Sequence, residues 1–153
     1  MVKAIVVYES KYGNTRLVAE KIIDGMRQVS GVEATLAEVG DVNLDHIPEF
    51  DAILIGTPNH IGRATKSIGK FIDKLGKLNL EGKKATVFDT CVRGDFEKAV
   101  KKMEKQISEK VPQLEQVASG LSIRVDGMKG PITEGELPGC EEFGAKIAAL
   151  ISK

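Results

Sequence analysis

Two stretches, KAIVVY at residues 3–8 and DAILIGT at 51–57, run almost without a polar side chain. A strand with one wet face alternates apolar and polar residues. A near-continuous, β-branched run belongs to a strand covered on both faces. Such a strand needs helices above and below it, and the intervening sequence supplies them. RLVAEKIIDGMRQV (16–29) repeats at helical spacing, and TKSIGKFIDKLGKL (65–78) places Ile68, Phe71, Ile72 and Leu75 on one face, with Gly76 as a stop. In DFEKAVKKMEKQISEKV (95–111), Phe96, Val100, Met103 and Ile107 form a stripe opposite lysines and glutamates. EEFGAKIAALI (141–151) closes the chain with Phe143, Ile147 and Leu150. EATLAEV (33–39) reads as a more amphipathic strand near an edge, KATVFDT (84–90) as a fourth and GLSIRV (120–125) as a fifth. DVNLDHIPEF (41–50) is a short connector, with room for one helical turn.

Strands alternating with helices imply right-handed crossovers and a parallel sheet covered on both sides. One domain over residues 1–153 is expected, with no repeat or linker inside it. Lys plus Arg and Asp plus Glu number 22 each, so no basic excess points to nucleic acid. That neutral total also predicts association that depends weakly on salt. No apolar run is long enough to span a bilayer, and no basic leader with a hydrophobic stretch opens the chain. A cytoplasmic monomer without a membrane partner is expected. Cys91 and Cys140 lie far apart and are expected to be reduced, and His46 and His60 leave little for a metal site.

Ligands of such sheets sit beyond the carboxyl ends of the strands. Three loops there are unusual: 9–15, 58–65 and 90–95. In the first, ESKYGNT, Ser10 and Thr15 carry hydroxyls, Gly13 permits close approach, and the amides of residues 11–15 precede a helix. A helix start is a natural anion site. The spacing fits neither the P-loop nor the dinucleotide glycine pattern. Ser10 or Asn14 could equally cap the helix, and the residues alone leave both readings open.

VVYESKYGNTRLVAEKI resembles the phosphate-binding loop of the flavodoxin family, DAILIGTP its third strand and GLSIRVDG its last. The resemblance spans the whole chain, at the length of the short-chain form. It implies a flavodoxin-like doubly wound five-stranded parallel sheet, order 2-1-3-4-5, and a noncovalently bound FMN that carries single electrons between proteins. Carried over, Ser10, Lys11, Tyr12, Gly13, Asn14 and Thr15 would hold the phosphate. Thr57 would bond the ribityl chain, while Pro58, Asn59, His60, Ile61 and Gly62 form the second flavin loop. The family often sets a Trp there, and this chain has none. His60 or Ile61 would fill its place, and Gly62 would be the peptide that turns toward the ring. Thr90, Cys91, Val92, Arg93, Gly94 and Asp95 would form the third loop. Cys91 or Val92 would replace the family's Tyr, Arg93 would bring a cation where anions are usual, and Asp95 would cap the next helix. Redox partners of the ferredoxin-linked oxidoreductase kind are implied, and no catalytic residue or metal. The alternative is an FMN-dependent NAD(P)H or quinone reductase of the same fold. A receiver domain is disfavoured because strand three ends in Thr57-Pro58 rather than a phosphoacceptor Asp.

Overall fold

The computed structural model describes residues 1–153. Six strands form one sheet: β1 (Val2–Tyr8), β2 (Val32–Glu38), β3 (Ala52–Pro58), β4 (Lys84–Cys91), β5 (Glu115–Gln116) and β6 (Leu121–Arg124). Four helices cover it: α1 (Asn14–Met26), α2 (Lys66–Leu75), α3 (Lys98–Lys110) and α4 (Leu137–Ile151). Two 3-10 segments, Val39–Asp41 and Leu44–Glu49, fill the connector before β3. All pairings are parallel, in the order β2-β1-β3-β4, with β5 and β6 both on the outer edge of β4. This is the expected 2-1-3-4-5 order, with its fifth position broken in two. Ala85 pairs with Gln116 and Phe88 with Leu121, so residues 117–120 oppose only Thr86 and Val87. The break sits at Gly120, where a Cβ would lie 2.5 Å from Val100 Cγ1 and 2.8 Å from Val87 Cγ2.

Residue alternation divides the core. Ala4, Val6 and Tyr8 of β1 pack with Val18, Ile22, Phe143 and Ile147 of α1 and α4. Ile5 and Val7 face the other way, onto Ile68, Ile72, Met103 and Ile107 of α2 and α3. The α1–α4 pair approaches backbone to backbone. A Cβ on Gly144 would stand 1.9 Å from the Ile22 carbonyl oxygen, and one on Gly25 2.0 Å from that of Glu141. Gly76 does end α2, but with an ordinary right-handed φ of −63°. Its small size matters because a Cβ would sit 2.5 Å from the Lys110 oxygen of α3.

One stripe residue is misplaced by the helical reading. α3 begins at Lys98, so Phe96 lies outside it, 38% exposed, with the Arg124 guanidinium 4.1 Å from its ring centroid. No helix is long and apolar enough to cross a membrane.

Candidate functional site

Parallel strands deliver all their carboxyl ends to one rim. Four loops meet there, after β1, β3, β4 and β6, the last of them not foreseen from the sequence. They are tied together by hydrogen bonds: Asn59 N–H to the Thr90 carbonyl at 2.8 Å, Asn59 Nδ2 to the Asp95 carbonyl at 3.2 Å, and Val125 N–H to the Cys91 carbonyl at 2.8 Å. The Thr15 and Thr90 hydroxyls join at 2.9 Å. The fourth loop leans on the first, for a Cβ on Gly130 would lie 2.6 Å from Asn14 Oδ1.

The first loop is not a capped helix start. Gly13 holds the N-cap position at φ 93°, and no side chain accepts from the first turn. Ser10 Oγ instead accepts from the Gly13 N–H at 3.0 Å, inside the loop. The amides of Asn14, Thr15 and Arg16 find no acceptor in the chain; the first helical bond is Leu17 N–H to the Gly13 carbonyl. Three unpaired donors at the positive end of a 13-residue helix form an anion cradle. Thr15 and Thr90 are both buried, and the two hydroxyls share a single bond, which leaves one proton free to donate. Beside the cradle, Glu9 Oε2 is buried without a hydrogen-bond partner. Tyr12, 41% exposed, has two cations near its ring, Lys11 Nζ at 5.5 Å and Lys129 Nζ at 5.9 Å from the centroid.

The second loop closes on itself. His60 N–H donates to the Arg63 carbonyl at 2.7 Å and Arg63 N–H returns at 3.3 Å, with Ile61 at φ 53° and Gly62 at φ 78° between them. Those angles are of the type I′ kind, which suits Gly62 but strains a β-branched Ile61. Ile61 is 78% exposed, so packing does not compensate for the strain. Backbone strain held without packing is a mark of functional loops. Gly62 N–H is occupied by Asn59 Oδ1 at 2.7 Å.

The third loop rests on a buried polar cluster. Asp89, fully buried at the end of β4, accepts from Ser122 Oγ at 2.5 Å and from the Val100 N–H at 3.0 Å. It therefore caps α3 from beneath, and Glu97, at the N-cap position with φ 65°, does not. Burial pushes the Asp89 carboxyl from 3.8 up to about 6, against the pull of the Ser122 and Val100 bonds. Cys91 is buried against Ser122 Oγ at 3.4 Å, and burial pushes its thiol up. Cys140 is also buried and free, pushed up to about 12 by burial. Neither thiol is poised to react.

A profile of the flavodoxin domain matches residues 5–124. The chain belongs to the flavodoxin family. A flavodoxin of Clostridium saccharobutylicum is 30% identical over 89 residues, covering 58% of this chain and 56% of that protein, so the match spans about half of the curated relative. Among solved structures, a flavodoxin from the domain Archaea superposes with a TM-score of 0.84 at 28% identity, covering 99% of this chain and 100% of that one. The flavodiiron protein of Giardia intestinalis has a TM-score of 0.81 at 20% identity, covering 98% of this chain and 36% of that one. That last likeness is one of fold alone.

Against this flavodoxin frame, the expected loops converge, but several side chains do not serve as the sequence suggested. Thr57 is fully buried, donating to the Pro58 carbonyl at 2.9 Å and accepting from Thr65 N–H at 3.1 Å, so its hydroxyl holds the loop rather than facing a ligand. Cys91 points inward and cannot stand in for an aromatic, whereas Val92, 39% exposed, faces out. Asp95 is not the cap of α3: its carboxylate meets Lys98 Nζ at 3.2 Å. Asn14 caps nothing and packs against Gly130. Lys11, His60, Arg93 and Gly94 are exposed on the rim. Phe96 was missed as a rim aromatic because its spacing from Val100 mimics a helical stripe.

Proposed function

We propose that the chain holds one FMN noncovalently on this rim and carries single electrons between partner proteins. The observation that carries the reading is the uncapped start of α1, with three unpaired N–H groups beside the Ser10 and Thr15–Thr90 hydroxyls. They match a terminal phosphate held by neutral donors. The orphan Glu9 Oε2 fits a ribityl hydroxyl donor. Five of the seven exposed large apolar side chains, Tyr12, Ile61, Val92, Phe96 and Met128, gather on the four loops and suit a planar ring and its surroundings. The residues present therefore fit the group.

Bound there, FMN would supply the redox chemistry, and this chain's residues hold and shield it. The α1 amides and the Ser10 hydroxyl orient the phosphate. Ile61, Val92 and Phe96, exposed on the second and third loops, would cover the ring and exclude water from it. The Ser122–Asp89 pair beneath the rim is buried, and neither buried thiol is poised to react. Mixing the FMN-loaded protein with NADH or NADPH under anaerobic conditions is the test. A carrier stays yellow until a separate reductase is added. Rapid bleaching by the nicotinamide alone would favour a reductase instead.

A further inference from the structure

We propose that a cationic groove between α2 and α3 docks the acidic face of the redox partner, an assignment that rests on the electron-transfer reading above. The neutral total conceals a divided molecule. Residues 58–113 carry 13 Lys and Arg against 7 Asp and Glu, while the rest of the chain carries 9 against 15. That segment supplies α2 and α3, so one helix layer is positive. Within the layer lies a cleft of about 310 Å³, lined by Arg63, Lys66, Lys70 and Lys102. Asp73 is the one carboxylate of its lining, and it accepts from Gln106 Nε2 at 2.9 Å.

The cations of the groove differ from their neighbours in how they are paired. Lys98, Lys101 and Lys105 of α3 meet Asp95, Glu97 and Glu109 at 3.2, 3.8 and 3.9 Å. Arg63, Lys66, Lys70 and Lys102 form no ion pair within the chain. Lys66, Lys70 and Lys74 also follow one another at i, i+4 spacing, a like-charge arrangement that opposes the helix it sits on. Folding does not explain that arrangement, and an anionic partner does. The groove also opens beside the second loop: Arg63 belongs to it, and a Cβ on Gly62 would lie 3.8 Å from Lys102 Nζ. A partner seated there is next to the candidate cofactor rim.

The occupant is a protein rather than a membrane or nucleic acid. The exposed large apolar side chains are Met1, Tyr12, Leu17, Ile61, Val92, Phe96 and Met128, none of them on α2 or α3. The layer has nothing to insert into a bilayer and no ring on which bases could stack. Ile61, at the rim end of the groove, adds the apolar contact that protein interfaces use. Opposed charge then steers the encounter and fixes its orientation.

Binding of a labelled glutamate decapeptide, followed by anisotropy at low salt, tests this on the FMN-loaded protein. Binding should weaken steeply with added salt. It should fall about tenfold in Lys66→Gln/Lys70→Gln/Lys102→Gln, whose three changes remove exposed charges only. Lys3→Gln/Lys146→Gln/Lys153→Gln, outside the groove, should leave it unchanged. No binding by the unaltered protein at low salt, or equal loss in both variants, overturns the proposal. So does tighter binding of a short DNA duplex or of anionic phosphatidylserine vesicles than of the peptide. FMN titration of the same proteins keeps the two readings apart. Unaltered FMN affinity in the groove variant supports a docking role, whereas peptide binding by a chain that takes no FMN overturns the redox assignment alone.

Discussion

Asp89 is the carboxylate whose behaviour departs furthest from its type. Its folded pKa, about 6, stands above its ordinary 3.8 because burial disfavours the charge. A group raised in this way contributes stability that is complete below about pH 4 and lost as pH rises through about 6. Asp89→Asn should therefore raise stability at neutral pH by about 1–3 kcal/mol and flatten its pH dependence between about pH 4 and 6. An amide can still accept from Val100 and meet Ser122, so the cap survives. Denaturant unfolding across that range checks it, and an unchanged slope would place the titration elsewhere. Nothing in VFDTC announces this role, since the strand reading of 84–90 does not say which partners from α3 and β6 meet the Asp89 side chain. Phe96 failed for the opposite reason: its spacing was too good a helical signal. That a turn bearing Ser10 and Gly13 opens α1 was legible, by contrast, because turn chemistry before a helix leaves a local mark in sequence.

The elements were the most legible level. Runs such as AIVV and AILI admit little besides two-sided strands, and the β1, β3 and β4 boundaries lie within a residue or two of the expected ones. β5 was not foreseen, because Glu115–Gln116 is short and polar and its place is fixed by pairing with β4. Helix contact was equally hidden, as it depends on glycines whose neighbours come from another element. Gly144 meets the backbone of Ile22, so Gly144→Ala should separate α1 from α4. The helix gains propensity, yet overpacking against backbone should cost about 2–3 kcal/mol net. Thermal unfolding should show a clear fall in Tm for Gly144→Ala and almost none for Gly139→Ala, where a Cβ meets nothing. Equal behaviour of the two would mean that the pair is not in close contact.

The whole molecule is electrically divided although its formal net charge is zero, and the proposed docking groove predicts a steeper salt dependence at the α2–α3 layer than that total implies. At pH near its pI of about 6.7 the protein should still be retained by a sulfonate resin at low salt. The groove variant should elute earlier, whereas passage of the unaltered protein without delay would mean that the charges are effectively mixed. The central claim, however, is the phosphate cradle at α1. Its direct measurement is titration of the flavin-free protein with FMN, FAD and riboflavin by fluorescence quenching. Three unpaired amides and a hydroxyl predict FMN bound roughly a hundredfold or more tighter than riboflavin. FAD should also be weak, since the single set of unpaired amides at the start of α1 suits one terminal phosphate. Equal affinity for FMN and riboflavin would contradict the account.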